Sequence, residues 1–278
     1  MPFVTVNGYS KYYEMDDFTQ PWLSPATIFI QHGMCRNSRF WRHWPPVLAT
    51  TYRVIRHDLP GHGDSQDPGP DYPWTMEAVV DDLVALLDVL KIRQVHFLGE
   101  STSGMLGVIF AVRHPERLKS LTLCASPLTI GPAAQKMFAF GHQDWQTAIR
   151  KLGTYGWARE LAGMSGTMGN MSPEQRSWVL NQIGRIPDRA LVDYSLMASR
   201  TDVGPLLKEI QVPVLILAPT RSAATPMEQQ VKMQQAIPGA KLVVIDGVAH
   251  EIYRDRAGDC MQALLDFLHT VENKVDKK

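Results

Sequence analysis

Short apolar runs alternate with segments of helical period along the 278-residue chain. Ala26-Thr27-Ile28-Phe29-Ile30, Tyr52-Arg53-Val54-Ile55, Gln94-Val95-His96-Phe97-Leu98, Leu118 to Cys124, Val212 to Leu217 and Lys241 to Ile245 are short and nearly continuous in apolar character. Such runs read as strands buried on both faces. Between them, Met76, Val79, Val80, Leu83, Leu86, Leu87 and Leu90 recur at helical spacing, with Thr75 placed to cap and Glu77 in the first turn. Gly104 to His114 and Cys260 to Phe267 read as further helices, and Val4 to Tyr9 as an edge hairpin turned at Asn7-Gly8. This alternation predicts an α/β protein whose mainly parallel central sheet is flanked by helices. It stops between about Leu128 and Gly204, where the pattern is helical with Gly and Pro breaks. The expected organisation is a core of residues 1–127 and 205–278, with a helical cap, or lid, inserted over 128–204.

Composition narrows the class. At 45% hydrophobic and 20% charged, the chain can bury a sizeable core, which excludes a disordered or fibrous protein. Lys plus Arg (28) equals Asp plus Glu (28), so no charge excess points to nucleic acid or an anionic membrane surface as partner. No apolar run approaches the ~18 residues that span a bilayer. Cys35, Cys124 and Cys260 are odd in number and far apart, which suits free thiols better than a disulfide framework or a metal cluster. The start of the chain has no basic segment followed by an apolar one, so a cytoplasmic protein is expected.

Chemistry concentrates at Gly99-Glu100-Ser101-Thr102-Ser103-Gly104, which follows a buried strand and opens a helix. That is the setting of a nucleophile elbow. The sharp turn strains the backbone at Ser101 and needs small neighbours, here Gly99 and Ser103. It also brings the backbone N–H of Thr102 to a helix N-terminus, where it can face a developing oxyanion. Gln31-His32-Gly33-Met34 ends an earlier strand, and Gly33 lets the chain turn so that the Met34 N–H becomes a second donor. In Asp58-Leu59-Pro60-Gly61-His62-Gly63-Asp64-Ser65, the glycines read as structural and His62 as a packing residue. His250 lies on the loop after the last strand, where a general base for Ser101 is expected.

In His32-Gly33, Asp58-Leu59-Pro60-Gly61-His62-Gly63, the elbow, Val212-Pro213-Val214-Leu215-Ile216 and Ala249-His250, the chain resembles the α/β-hydrolase fold superfamily in its cap-bearing, single-domain form. The resemblance runs from about Phe3 to Leu268. It implies the fold but not the substrate, because that superfamily includes esterases, lactonases, C–C hydrolases, dehalogenases, epoxide hydrolases, lyases and hormone receptors. A serine at the nucleophile position disfavours the dehalogenase and epoxide-hydrolase branches, which use aspartate there. The Glu-Ser pair is similar to the Gly-Glu-Ser element of carboxylesterases.

The acid that the resemblance implies is missing from both customary places. After the penultimate strand the expected position is Ser222, and no carboxylate occurs between Ile216 and Glu228. The end of the strand after the elbow reads Cys124-Ala125-Ser126. Glu100, Glu228, Asp246, Glu251 and Asp255 remain. Glu228 reads as the start of a helix after Pro226, and loop geometry need not aim the three near His250 at its ring. Glu100 adjoins the nucleophile, and the matching glutamate of carboxylesterase-like relatives lines the active site, so it is taken as the acid. A Ser–His pair with no charged partner is the alternative. The implied function is a serine hydrolase acting on a small, largely apolar carboxylic ester or lactone, with no metal or organic cofactor. Ser101 would form the acyl-enzyme, His250 would be the base, and Met34 and Thr102 would hold the oxyanion. A C–C bond hydrolase, a lyase or a non-enzymatic small-ligand receptor on the same scaffold are the alternatives. An ordinary histidine base predicts an acid limb near pH 6 to 7 (about the free imidazole value).

Overall fold

The computed structural model of the chain describes residues 2–247 and 249–275. Eight strands form one sheet in the order β1-β2-β4-β3-β5-β6-β7-β8. They are β1 (Phe3–Val6), β2 (Tyr9–Asp16), β3 (Thr27–Gln31), β4 (Arg53–His57), β5 (Val95–Glu100), β6 (Leu118–Cys124), β7 (Val214–Pro219) and β8 (Lys241–Ile245). The β1–β2 and β2–β4 pairs are antiparallel and the others parallel. The hairpin turns at Asn7 (φ 50°) and Gly8 (φ 84°), the paired positive values of a two-residue type I′ turn.

Every residue of β3, β5 and β7 is buried, as their continuous apolar runs predict. β8 departs from that expectation. It closes the sheet at the edge and has a neighbour on one side only, so Val244 is 52% exposed.

Helices pack on the sheet. In α1 (Pro45–Leu48) and α2 (Met76–Val89) the cap is clearest on the second, where the Thr75 side chain accepts from the Ala78 N–H at 3.2 Å. The buried side of α2 is Met76, Val79, Val80, Leu83, Leu86 and Leu87, the apolar stripe read from its spacing, with Asp82 among them. α3 (Thr102–Arg113) follows β5 directly. After β6 the chain leaves the sheet for α4 (Pro132–Phe138), α5 (Trp145–Gly163), α6 (Pro173–Ile183) and α7 (Asp188–Arg200), then returns to β7. Gly153, at φ 67°, breaks α5 in the middle. The two ends of this excursion meet, because Thr129 bridges Asp202 and the Val203 N–H donates to Leu128 O at 3.0 Å. α8 (Met227–Ala236), α9 (Ile252–Asp255) and α10 (Ala257–Val275) complete the fold. Among the described residues, no helix is long and apolar enough to cross a membrane.

Candidate active site

The β5–α3 turn is centred on Ser101, whose φ of 53° and ψ of −125° are unusual for a residue with a side chain. Such a conformation costs roughly 1–3 kcal/mol and persists only when its surroundings fix it. Here they do. A Cβ on Gly99 would overlap the Ser103 carbonyl, so the chain can double back only with glycine there. A Cβ on Gly33 would meet Glu100 Oε2 at 2.6 Å and Ser101 Cβ at 2.8 Å, so the β3 loop lies directly against the elbow. Ser103 fits as the second small residue, and its hydroxyl donates to His32 O at 2.6 Å.

The loop after β8 brings His250 Nε2 to 2.9 Å from Ser101 Oγ. Three contacts set its position. The His250 N–H donates to Thr167 O (3.2 Å), on the loop after α5. The next residue, Glu251, is buried and ion-paired with Arg36, whose Nε donates to Oε1 at 2.6 Å. The Tyr253 ring stacks on Trp41 at 4.3 Å, and its carbonyl accepts from Trp44 Nε1 at 2.9 Å.

On the other side of the ring, Nδ1 faces Ser222 Oγ at 2.8 Å. That oxygen also accepts from the N–H groups of Ala224 (3.2 Å) and Thr225 (3.0 Å), and the Thr225 hydroxyl is 2.8 Å away. An ionised carboxylate here could only accept a hydrogen bond from Nδ1–H. A hydroxyl can either accept or donate, so Ser222 leaves both tautomers of His250 open.

The carboxylates considered as substitutes lie elsewhere. Glu100 is buried; its Oε2 accepts from the Gly33 N–H at 2.6 Å, and its Oε1 is 3.7 Å from His250 Nε2. It therefore faces the nitrogen that meets Ser101. Glu251 is taken up by Arg36 and Arg254, and Asp255 by Arg254. Asp246 accepts from the Thr220 hydroxyl at 2.8 Å, and Glu228 is an exposed residue in the first turn of α8. Among the described residues, no carboxylate is hydrogen-bonded to Nδ1.

Burial shapes the electrostatics. Loss of solvent, with Arg36 adding to it against the pull of Glu251, pushes His250 down to about 4. Burial pushes the Glu100 carboxyl up to about 7, against the opposing Arg36 charge and the Gly33 N–H. His250 is thus neutral at pH 7 and able to accept a proton, and the ordinary histidine value expected from sequence gives way to tertiary desolvation. Glu100 contributes stability in full below its open-chain value of 4.5 and loses it as pH rises through about 7. At about 1.36 kcal/mol per pH unit, the loss is about 3 kcal/mol. Glu100→Gln carries no such loss, so its thermal transition should gain on the parent's between about pH 4.5 and 7 and level off above that. Parallel curves across that range would show that Glu100 does not titrate there.

Two backbone N–H groups lie near Ser101. Thr102 is the first residue of α3, so its N–H has no acceptor within the helix. The Met34 N–H points at the Thr102 hydroxyl, 3.0 Å away. A cavity is lined by these residues, Ser101 and His250, and by Ile130, Phe138, Trp145, Trp157, Leu161 and Met168. Phe138 sits 4.7 Å from Trp145 and 6.0 Å from Trp157, between ring centres. His62 is fully buried, with Nδ1 2.9 Å from Pro60 O and its ring edge-on to Tyr194, which fits the packing role expected of it. The three cysteines are free and buried, and no group of three metal-ligating side chains occurs among the described residues.

A family model described as alpha/beta hydrolase fold matches residues 26–257. The chain belongs to this family. Within the alpha/beta hydrolase fold it is 27% identical over 255 residues to a pimeloyl-(acyl-carrier protein) methyl ester esterase of Neisseria meningitidis, covering 88% of this chain and 94% of that protein. It is 28% identical over 206 residues to the 3-oxoadipate enol-lactonase 2 of Acinetobacter baylyi, covering 72% and 73%. The crystal structure of the enol-lactonase from Burkholderia xenovorans superposes with a TM-score of 0.79 at 25% identity, covering 96% of this chain and all of that one.

Several residues of this alpha/beta hydrolase site escaped sequence reasoning. Thr225, and Arg36 as the ion-pair partner of Glu251, carry no local motif. Tyr194 lies on α7 among apolar positions and gives no signal of its hydroxyl's hydrogen bond to Thr102.

Proposed function

We propose that the chain is a serine hydrolase that opens a carboxylic ester or lactone through an acyl-enzyme on Ser101. The observation that carries this reading is the 2.9 Å contact of Ser101 Oγ with His250 Nε2 beside a cavity walled by apolar and aromatic side chains. Ser101 Oγ attacks the carbonyl carbon as Nε2 takes its proton, and the N–H groups of Met34 and Thr102 hold the oxyanion. The tetrahedral intermediate collapses to the acyl-enzyme, and the imidazolium gives its proton to the departing alkoxide. In a lactone that alcohol stays tethered to the acyl group. Water then attacks the acyl-enzyme, yielding its proton to His250, and the acid leaves. Glu100, when ionised, faces the protonated Nε2 and favours the imidazolium. Residues 128–204 serve as the lid over the core of 1–127 and 205–278, and their aromatics favour a mid-sized, largely apolar substrate. The ester- and lactone-cleaving relatives support the same class.

The neutral Ser222 favours one second reading: a receptor that is acylated once and holds its ligand. The two separate on turnover. A screen of p-nitrophenyl esters, aromatic macrolactones and vinylogous diketones should find a substrate cleaved many times per chain, with Ser101→Ala silent. A single burst without turnover would favour the receptor, and turnover of diketones alone would favour C–C hydrolysis.

The pH profile follows from the two shifted groups. On the acid side, kcat/KM should fall near pH 7, where Glu100 takes up its proton, and fall again only near pH 4, where His250 does. In Glu100→Gln the limb near 7 should vanish. A limb near 7 that survives this substitution belongs to His250 and overturns the assignment.

A further inference from the structure

The corner beside Met34 holds a chain of hydroxyls that the mechanism above does not use. The Thr102 hydroxyl accepts from the Met34 N–H at 3.0 Å and lies 2.9 Å from the hydroxyl of Tyr194 on α7. Thr102 and Tyr194 are both buried, and Thr102 lines the cavity. Three donors, the Met34 N–H and the two hydroxyls, thus meet in this corner, where the Tyr194 hydroxyl also lies beside that of Ser103. The neighbouring Ser103 hydroxyl spends its proton on His32 O. A hydroxyl proton held only by another hydroxyl can turn to a charged acceptor that arrives, because the hydrogen bond to a charge is the stronger.

We infer that the Thr102 side-chain hydroxyl is a third donor to the oxyanion, in addition to the two backbone N–H groups, and that Tyr194 positions it. The inference rests on the acyl-enzyme reading of Ser101. In the resting enzyme, Thr102 Oγ1 occupies the place of an oxygen on the Met34 N–H. When the substrate carbonyl becomes an oxyanion there, it takes over the Met34 N–H. The Thr102 hydroxyl, within 3.0 Å of that nitrogen, turns its proton onto the new charge. Tyr194 O–H then donates to Thr102 Oγ1 and replaces the hydrogen bond that Met34 withdrew. No proton changes its oxygen. The hydroxyls only exchange donor and acceptor roles, and the added bond exists in the transition state and not in the ground state. Because Tyr194 comes from the inserted helices, the lid is also tied to the charge-stabilising corner.

The test compares Thr102→Val, Thr102→Ser and Tyr194→Phe with the parent on a p-nitrophenyl ester that the parent turns over. It also measures inhibition by an alkyl trifluoromethyl ketone, which forms a tetrahedral adduct on the serine. One oxyanion donor is worth about 10²–10³ in kcat, and a side-chain donor beside two backbone ones should fall at the lower end. Thr102→Val should therefore lose about 10² in kcat with KM nearly unchanged, and weaken the ketone by a similar factor. Thr102→Ser should restore most of the loss. Tyr194→Phe should lose less, again in kcat rather than KM. A Thr102→Val enzyme with equal or higher kcat would mean that the hydroxyl merely plugs the site, and overturns the inference. So would a loss confined to KM. If Thr102→Val lacks a thermal transition, Tyr194→Phe and Thr102→Ala decide by the same split. An active parent with indifferent variants defeats this inference alone, whereas a parent without Ser101-dependent turnover defeats the hydrolase reading and this inference with it.

Discussion

Ser101→Ala should abolish hydrolysis, with kcat falling by about 10⁶, the scale of removing one member of a nucleophile–base unit. The fold should survive. Among the described residues, Ser101 Oγ makes one hydrogen bond, to a histidine already held through its own backbone, Glu251 and Tyr253. Alanine keeps the Cβ, so the strain at φ 53° is unchanged, and the lost bond is worth about 1 kcal/mol. The thermal transition should therefore stay cooperative and shift little, while a fluorophosphonate that labels the parent once per chain should leave the variant untouched. Retained turnover would end the assignment of Ser101. Lost turnover accompanied by a lost transition would leave it unsupported.

What was legible in the sequence was whatever short-range geometry dictates. Ser101 between Gly99 and Ser103 after a buried run announces a turn only small residues can make, and Gly33 is small because the elbow presses on it. His250 was legible from its place after the last strand. The exposure of β8 was not, because the apolar run from Leu242 to Ile245 reads the same at the edge of a sheet as at its centre. Nor was the orientation of Glu100. The Gly33 N–H claims one oxygen of its carboxylate, which leaves the other facing Nε2. That hydrogen bond joins residues 67 apart in the chain and has no local signature. The cavity was hidden for a related reason. Aromatics are no denser between 128 and 204 than elsewhere, yet the helices bring Phe138, Trp145 and Trp157 together. Burial, which sets the titration of His250 and Glu100, comes from tertiary packing that no single segment encodes.

Ser222→Asp should raise activity. The side chain already meets Nδ1 at 2.8 Å, and the Ala224 and Thr225 N–H groups that now point at its oxygen would serve a carboxylate equally well. The new carboxylate can only accept from Nδ1–H, so it selects the tautomer whose Nε2 lone pair faces Ser101, and it stabilises the imidazolium. Loss of such an acid costs about 10⁴ in kcat where an enzyme depends on it. With Glu100 proposed to supply part of the charge from the Nε2 side, a gain of about 10² is the expected share. The same charge should raise His250 from about 4 and bring its acid limb up with it. Glu100→Gln keeps the shape of the buried side chain and removes its charge, so it should lower kcat by about 10² in the parent. In the Ser222→Asp background the same change should cost much less, because the imidazolium then has its partner on Nδ1. Such non-additivity is what two groups stabilising one charge must produce. If Glu100→Gln turns over like the parent, Glu100 is a structural residue of the elbow. If Ser222→Asp brings no gain either, proton transfer through His250 does not limit the reaction, and a Ser–His pair with a hydroxyl partner is sufficient for it.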